Sequence, residues 1–268
     1  MGLMPIFDPL EKHRPMRVAA FMSGSGTNIL RLLEREKELE RQGTKLFQVV
    51  FIFSDRSDGR CRGESIAHEY GIAYFSYDIR RFHEIRGVKR SVKTKEGLEA
   101  RKEFDQVPKK LVEAFEVDVI ALGGYMSYTT LNRCVNVHPA DLSIKDPQGN
   151  RKYVGDRAVY DAILAGEREL RSSTIWTDEG VDTGPLLMVS EPLPVELPLK
   201  LQELKKNPEL LEKVAQEHQE RLKEVGDWKI FPKTIEMIAQ GRFALDGDKN
   251  VYVDGVKVEE GYRLREGS

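Results

Sequence analysis

Apolar residues along the 268-residue chain gather in short, nearly uninterrupted runs, and between the runs they recur at three- and four-residue intervals. Residues 17–22 form the first run, too short for a helix and apolar at both alternating positions, which predicts a strand covered on both faces. Residues 47–53, 72–75, 117–122 and 134–137 read the same way. Between them Ile29, Leu32, Leu33 and Leu39 keep a helical period that stops before Gly43. Residues 60–70 predict a second helix closed by Gly71, and residues 95–115 a third. Strand alternating with helix predicts a parallel, doubly wound sheet with right-handed crossovers.

The pattern changes further along. Residues 80–95 are rich in Arg and Lys with few apolar anchors, which predicts a solvated loop or flap, with a specific anion contact as the alternative. Residues 141–155 are polar with Pro and Gly and read as a loop, and residues 156–165 as a helix ended by Gly166. Residues 173–177 and 186–190 predict neighbouring strands joined by a turn over 178–185. Residues 192–198 read as a linker, and 199–225 as a charged helical stretch broken at Asn207-Pro208. A last helix over 230–240 and a hairpin over 251–258 around Asp254-Gly255 complete the chain. The expectation is an N-terminal extension over 1–16, then one α/β domain over 17–268 whose end is a small helix and hairpin appendage.

Composition narrows the function classes. Lys plus Arg is 42 and Asp plus Glu 44, a formal net charge of −2, so no global charge draws the chain to nucleic acid or membrane and any anion site is local. No apolar run reaches membrane-spanning length, and residues 1–15 carry no apolar signal core, so a cytoplasmic location is expected. Cys61 and Cys134 read as two reduced thiols, and no Cys or His spacing suggests a metal.

Three segments carry candidate chemistry. Ser23-Gly24-Ser25-Gly26-Thr27-Asn28 joins a predicted strand to a predicted helix, where glycines admit an anion to free N–H groups at the positive end of the helix. Gly26, Thr27 and Asn28 are candidate ligands for one phosphate; a tight turn capped by Ser25 or Thr27 is the alternative. Asn136 and His138 alternate on a strand and therefore share a face, at the carboxyl end where open α/β sheets bind ligands. An amide donor beside an imidazole suits a developing oxyanion and proton exchange with an amine, although a lone His is also commonly structural. Asp182, in Asp182-Thr183-Gly184-Pro185, would stabilise a cationic His138 if it lay nearby; an Asp turn bonded to its own backbone is the alternative.

Together with Gly124-Tyr125-Met126, Asn136-Val137-His138-Pro139, Gly180-Val181-Asp182-Thr183-Gly184-Pro185 and Ile230-Phe231-Pro232, these segments resemble the folate-dependent formyltransferase family over most of the chain. The resemblance implies a Rossmann-like formyltransferase fold: α/β, with a mostly parallel twisted sheet and helices on both faces. It divides the domain into a phosphate-binding half over 17–115, a folate-binding and catalytic half over 116–198, and C-terminal helices and hairpin over 199–268. It implies direct transfer from 10-formyltetrahydrofolate, as co-substrate and without metal, to the amine of glycinamide ribonucleotide in purine synthesis. Asn136, His138 and Asp182 would be the catalytic trio, Gly26, Thr27 and Asn28 the phosphate ligands, and Arg101, Tyr125, Met126, Ser127 and Tyr128 the folate-pocket residues. Glu217 would touch the substrate, or Asp227 if the match is anchored at Ile230-Phe231-Pro232. Partners would be small molecules, folate and a phosphorylated amine, with no nucleic acid or membrane; a homodimer fits this reading as well. Alternatives are a formyl-folate hydrolase, a formyltransferase for an amino sugar or aminoacyl-tRNA, and a silent ligand-binding homologue. The chain departs from the family where Ala140-Asp141-Leu142-Ser143 replaces a Ser-Leu-Leu-Pro run, where a longer loop precedes Tyr153, and where Trp176 replaces a His.

Overall fold

The computed structural model describes residues 2–264. Its contacts divide the chain into two compact units. The first comprises Phe7–Asn136 with Ala239–Gly241; the second takes the residues up to Ile6, Val137–Ile238, and those from Arg242 on.

The first unit begins its sheet with β1 (Met16–Met22), followed by helix α1 (Thr27–Arg41), β2 (Phe47–Ser54), α2 (Gly63–Tyr70) and β3 (Ala73–Ser76). Helices α3 (Ile79–Arg86) and α4 (Lys95–Ala114) precede β4 (Val119–Leu122) and the start of β5 (Cys134–His138). The order is β5–β4–β1–β2–β3 and every pair is parallel, with Ala20 opposite Ile52 on one side and Ala121 on the other. All but one residue of β1 is fully buried, as a central parallel strand with both faces covered requires. The aromatic core includes Phe21, Phe51, Phe53, Phe82 and Phe104, with Phe21 and Phe53 ring centres 4.9 Å apart. Each such ring contributes about 1.5–3 kcal/mol by leaving water.

Residues 80–95 correct the loop reading. Most of the segment's first half is α3, capped by Asp78, whose carboxylate accepts the N–H groups of Arg80 and Arg81 at 2.9 and 3.0 Å. Ile79, Phe82 and His83 form its buried face, while Arg86 lies 3.7 Å over the Phe82 ring and pairs with Glu103. The helical period was present at 79, 82 and 83 but short, and the surrounding cations masked it.

On α1 a carboxylate faces the sheet. Glu36 is buried and accepts the Val49 N–H at 3.1 Å. Burial, chiefly, pushes its carboxyl from 4.5 up to about 7. The folded state therefore binds a proton that the unfolded chain gives up, so the stability present below pH 4.5 is lost as pH rises through 7. Glu36→Gln is expected to melt higher than wild type at about pH 8 and at nearly the same temperature at about pH 4, by thermal denaturation followed by circular dichroism.

The second unit takes the end of β5, helix α5 (Ala158–Ala165), strands β6 (Ser173–Trp176) and β7 (Leu186–Val189), and helix α6 (Pro208–Leu222). A π-helical turn over Lys223–Asp227 leads into α7 (Trp228–Ala239). Strands β8 (Phe243–Leu245), β9 (Val251–Val253), β10 (Val256–Lys257) and β11 (Tyr262–Arg263) follow. β6 and β7 are antiparallel, and β11 adds to β7 in parallel. Val159, Ile163, Leu211, Val214 and Leu222 share one apolar cluster that joins α5 to α6. Asn207 caps α6 through the Leu210 N–H, with Pro208 in the first turn where no amide is missed. The expected linker over 192–198 contains Leu193–Pro194, antiparallel to Glu169–Leu170, with Leu193 buried. Part of the expected N-terminal extension is likewise structured: Met4–Pro5 pairs with Ala244 and Leu245 of β8. Among the described residues no helix is long and apolar enough to cross a membrane.

Candidate active site

In the second unit, His138 ends β5 and is only 5% exposed. Its Nε2 lies 3.0 Å from the Tyr153 carbonyl oxygen, and its Nδ1 lies 3.4 Å from Asp182 Oδ2. A carbonyl only accepts, so the Tyr153 contact assigns a hydrogen to Nε2 and leaves Nδ1 as the nitrogen facing the carboxylate. Asp182 sits in the turn between β6 and β7 with φ 53°, in the left-handed region that Asp tolerates better than most residues. The same Oδ2 accepts the Gly155 N–H at 2.9 Å. The turn is drawn tight at its far end, where the Trp176 N–H donates to the Pro185 carbonyl at 2.9 Å. A Cβ on Gly184 would lie 2.0 Å from the Trp176 carbonyl oxygen, so only glycine fits there.

Arg151 meets this turn as well. Its guanidinium donates to the carbonyl oxygen of Asp182 and, at 2.7 Å, to that of Gly184. Burial pulls the Arg151 pKa down, opposed by the charges of Asp182 and Asp178. Neither Arg151 nor the backbone of residues 153–155 was singled out in the sequence; all lie in the polar loop over 141–155, whose composition signals only a turn.

In the first unit the Gly-rich turn leaves β1 and enters α1 with Gly26 as the N-cap, φ 71°. No side chain caps this helix, so neither Ser25 nor Thr27 closes it as the alternative reading supposed. Asn28 is buried, and its Oδ1 has no hydrogen-bond partner among the described residues. A second loop lies beside the first: the Ser23 N–H donates to the Gly124 carbonyl at 3.0 Å, and the Met126 N–H donates to Ser23 Oγ at 2.9 Å. The ends of β1 and β4 thus join the start of the Gly-rich turn, at Ser23, to Gly124 and Met126. Tyr125 is buried edge-on to Phe21, its hydroxyl unpartnered among the described residues and its pKa driven well up by burial. Ser127 Oγ donates to Asp55, Tyr128 is half-buried, and Met126 is 73% exposed.

Arg101 reaches the same region from α4 but is 3% exposed, with Nε and Nη1 unpartnered among the described residues. Burial lowers its pKa, while Tyr125, Asp105 and Asp55 oppose the shift by their charges. Asp105 anchors the chain after Tyr128 by accepting the Thr130 N–H at 2.6 Å and the Thr130 hydroxyl at 2.9 Å. A buried guanidinium with open donors suits an anionic or carbonyl-bearing ligand.

Asn136 stands two residues before His138 on β5, at the end of the first unit's long segment Phe7–Asn136. Glu217 projects from the exposed side of α6. Asp227, the alternative, is buried in the π-helical turn, where Ser172 Oγ donates to it.

Comparison with known proteins places this geometry in a family. The family model described as formyl transferase matches residues 16–215. The trifunctional purine biosynthetic protein adenosine-3 of Drosophila melanogaster is 27% identical over 182 residues, covering 65% of this chain and 11% of the relative. The chain spans from 11% to 19% of the length of the trifunctional relatives it matches. Among solved structures, the phosphoribosylglycinamide formyltransferase of Coxiella burnetii superposes with TM-score 0.64 at 22% identity, over 94% of this chain and all of that one. A formyltetrahydrofolate deformylase from Pseudomonas syringae superposes with TM-score 0.58 at 17% identity, over 90% of this chain and 66% of that one. The likenesses in structure agree on an α/β fold around a mostly parallel sheet, and the match over 16–215 makes the chain a member of the formyl transferase family.

Proposed function

We propose that this chain transfers the formyl group of 10-formyltetrahydrofolate to the amine of glycinamide ribonucleotide, a step of purine synthesis. The observation that carries the proposal is the buried His138–Asp182 contact of 3.4 Å in a chain of the formyl transferase family. The names of the relatives supply the acceptor.

In this reading the amine attacks the formyl carbon and the carbonyl oxygen becomes an oxyanion. The Asn136 amide donates to that oxyanion. Nε2–H of His138 is held by Tyr153, so in the cationic imidazole Nδ1–H is the donor shared between Asp182 and the oxyanion. The tetrahedral intermediate then collapses: the carbon–N10 bond breaks, and the proton lost by the amine passes by way of Asp182 to N10. No covalent intermediate with the protein forms. The N–H groups opening α1 at Gly26, Thr27 and Asn28 hold the phosphate. Tyr125, Met126, Ser127 and Tyr128 line the folate side, with the open donors of Arg101 turned to its polar groups. Of the two acidic candidates for the substrate amine, the buried Asp227 suits the role better than the exposed Glu217.

An acceptor panel tests the proposal. The wild-type chain is given 10-formyltetrahydrofolate with glycinamide ribonucleotide, its dephosphorylated riboside, an amino sugar, an aminoacyl-tRNA, or no amine. The ribonucleotide is expected to exceed every other acceptor in kcat/KM by at least about a hundredfold, a site built for its phosphate and amine being left unpaired by the rest. Formate release at the same rate without amine would make the chain a hydrolase instead.

A further inference from the structure

Residues 144–152 form a small hairpin rather than a free loop. Asp146 accepts the N–H groups of Gln148 and Asn150 at 3.0 and 2.8 Å, which closes its tip. Lys145 and Arg151 pair across it in antiparallel fashion, and the Lys152 N–H donates to the Ile144 carbonyl at 3.0 Å. The hairpin therefore delivers Arg151 from a fixed base. The residues that follow it make the two other contacts that define the pair: the Tyr153 carbonyl at His138 Nε2, and the Gly155 N–H at Asp182 Oδ2.

We propose that Arg151 is a positioning residue for formyl transfer. By spanning the carbonyls of Asp182 and Gly184 it fixes the left-handed Asp182 where one carboxylate oxygen meets both the Gly155 N–H and His138 Nδ1. The inference rests on the reading of His138 and Asp182 as the reacting pair. A guanidinium suits the task because its planar fork reaches two carbonyls at once; an ammonium concentrates its donors at one point. Arg151 also lines a cavity of about 440 Å³ with Ser143, Lys145, Pro185, Leu186 and Lys257. A guanidinium ion can enter there from solvent.

The test is Arg151→Ala with and without millimolar guanidinium. The expected result is a kcat about thirtyfold lower, as misplaced catalytic groups give, with KM for both substrates within about threefold of wild type. Added guanidinium is expected to restore about tenfold of the loss, whereas Arg151→Lys recovers little, since one ammonium does not span both carbonyls. A second readout is independent of activity: backbone hydrogen exchange over residues 178–185 speeds up in Arg151→Ala and slows again with guanidinium. A kcat within about threefold of wild type, or exchange over 178–185 that does not change, overturns the proposal. If Arg151→Ala does not fold, Arg151→Lys carries the same two readouts, with a loss of about tenfold in kcat expected. Should the wild-type chain formylate no amine, the functional reading falls, and the exchange experiment still decides whether Arg151 holds the turn.

Discussion

Asp182→Asn is expected to lower the rate of formyl transfer at saturating substrate by at least about a hundredfold, a loss of about 3 kcal/mol in transition-state stabilisation. The substitution keeps an oxygen for the Gly155 N–H, which Oδ2 accepts at 2.9 Å, so the turn keeps its shape. What disappears is the negative charge 3.4 Å from His138 Nδ1 and the base that carries the amine proton. His138→Ala should fall at least as far, because it removes the oxyanion donor and leaves the buried Tyr153 carbonyl without its 3.0 Å partner. Stopped-flow absorbance of folate release gives both rates, and thermal melting checks that the Asn variant remains folded. Rates within about threefold of wild type in both variants would remove these residues from the chemistry.

The second large effect is expected at Gly26. Its φ of 71° is a region that a side chain enters at a cost of about 1–2 kcal/mol. A Cβ would also lie 2.5 Å from Met22 Cε and 2.7 Å from Ile66 Cδ1, the ends of two buried side chains that would have to shift. Crowding of that kind adds about 1–3 kcal/mol, so Gly26→Ala should lose about 2–5 kcal/mol of stability in urea denaturation. Because the strain falls on the N-cap of α1, KM for the phosphorylated acceptor should rise about tenfold or more, while KM for folate changes little. An unchanged acceptor KM in the folded variant would place the phosphate elsewhere.

How much of this was legible in the sequence depended on the range of the interactions involved. The central strand over Met16–Met22 was legible because burial on both faces leaves an unbroken apolar run. The turn from Ser23 to Asn28 was legible because a parallel strand meets its helix there, and Asn136 and His138 because alternation alone puts them on one face of β5. Helix α3 was not, since its three inward residues are outnumbered by cations whose stems lie along apolar surface, as Arg86 does over Phe82. Asp182 was legible as a candidate but not its approach to His138, because a contact between distant segments is set by the packing of β5 against the turn's supports and leaves no local period. Arg151 was invisible for the same reason: its partners are main-chain carbonyls, which every residue possesses, so no pairing of side-chain types marks it. The choice between Glu217 and Asp227 likewise turns on burial, which the charged sequence of α6 does not reveal.

The claim on which the account depends is that His138 and Asp182 act as one unit on one reacting carbon. A double-mutant cycle measures that coupling: formyl-transfer rates of His138→Ala, Asp182→Asn and the double variant, each with 10-formyltetrahydrofolate and glycinamide ribonucleotide at saturation. The account predicts that the double variant is about as slow as the slower single variant, because the carboxylate has nothing to act on once the imidazole is gone. Losses that multiply, to about ten-thousandfold, would contradict it and leave the two side chains working independently.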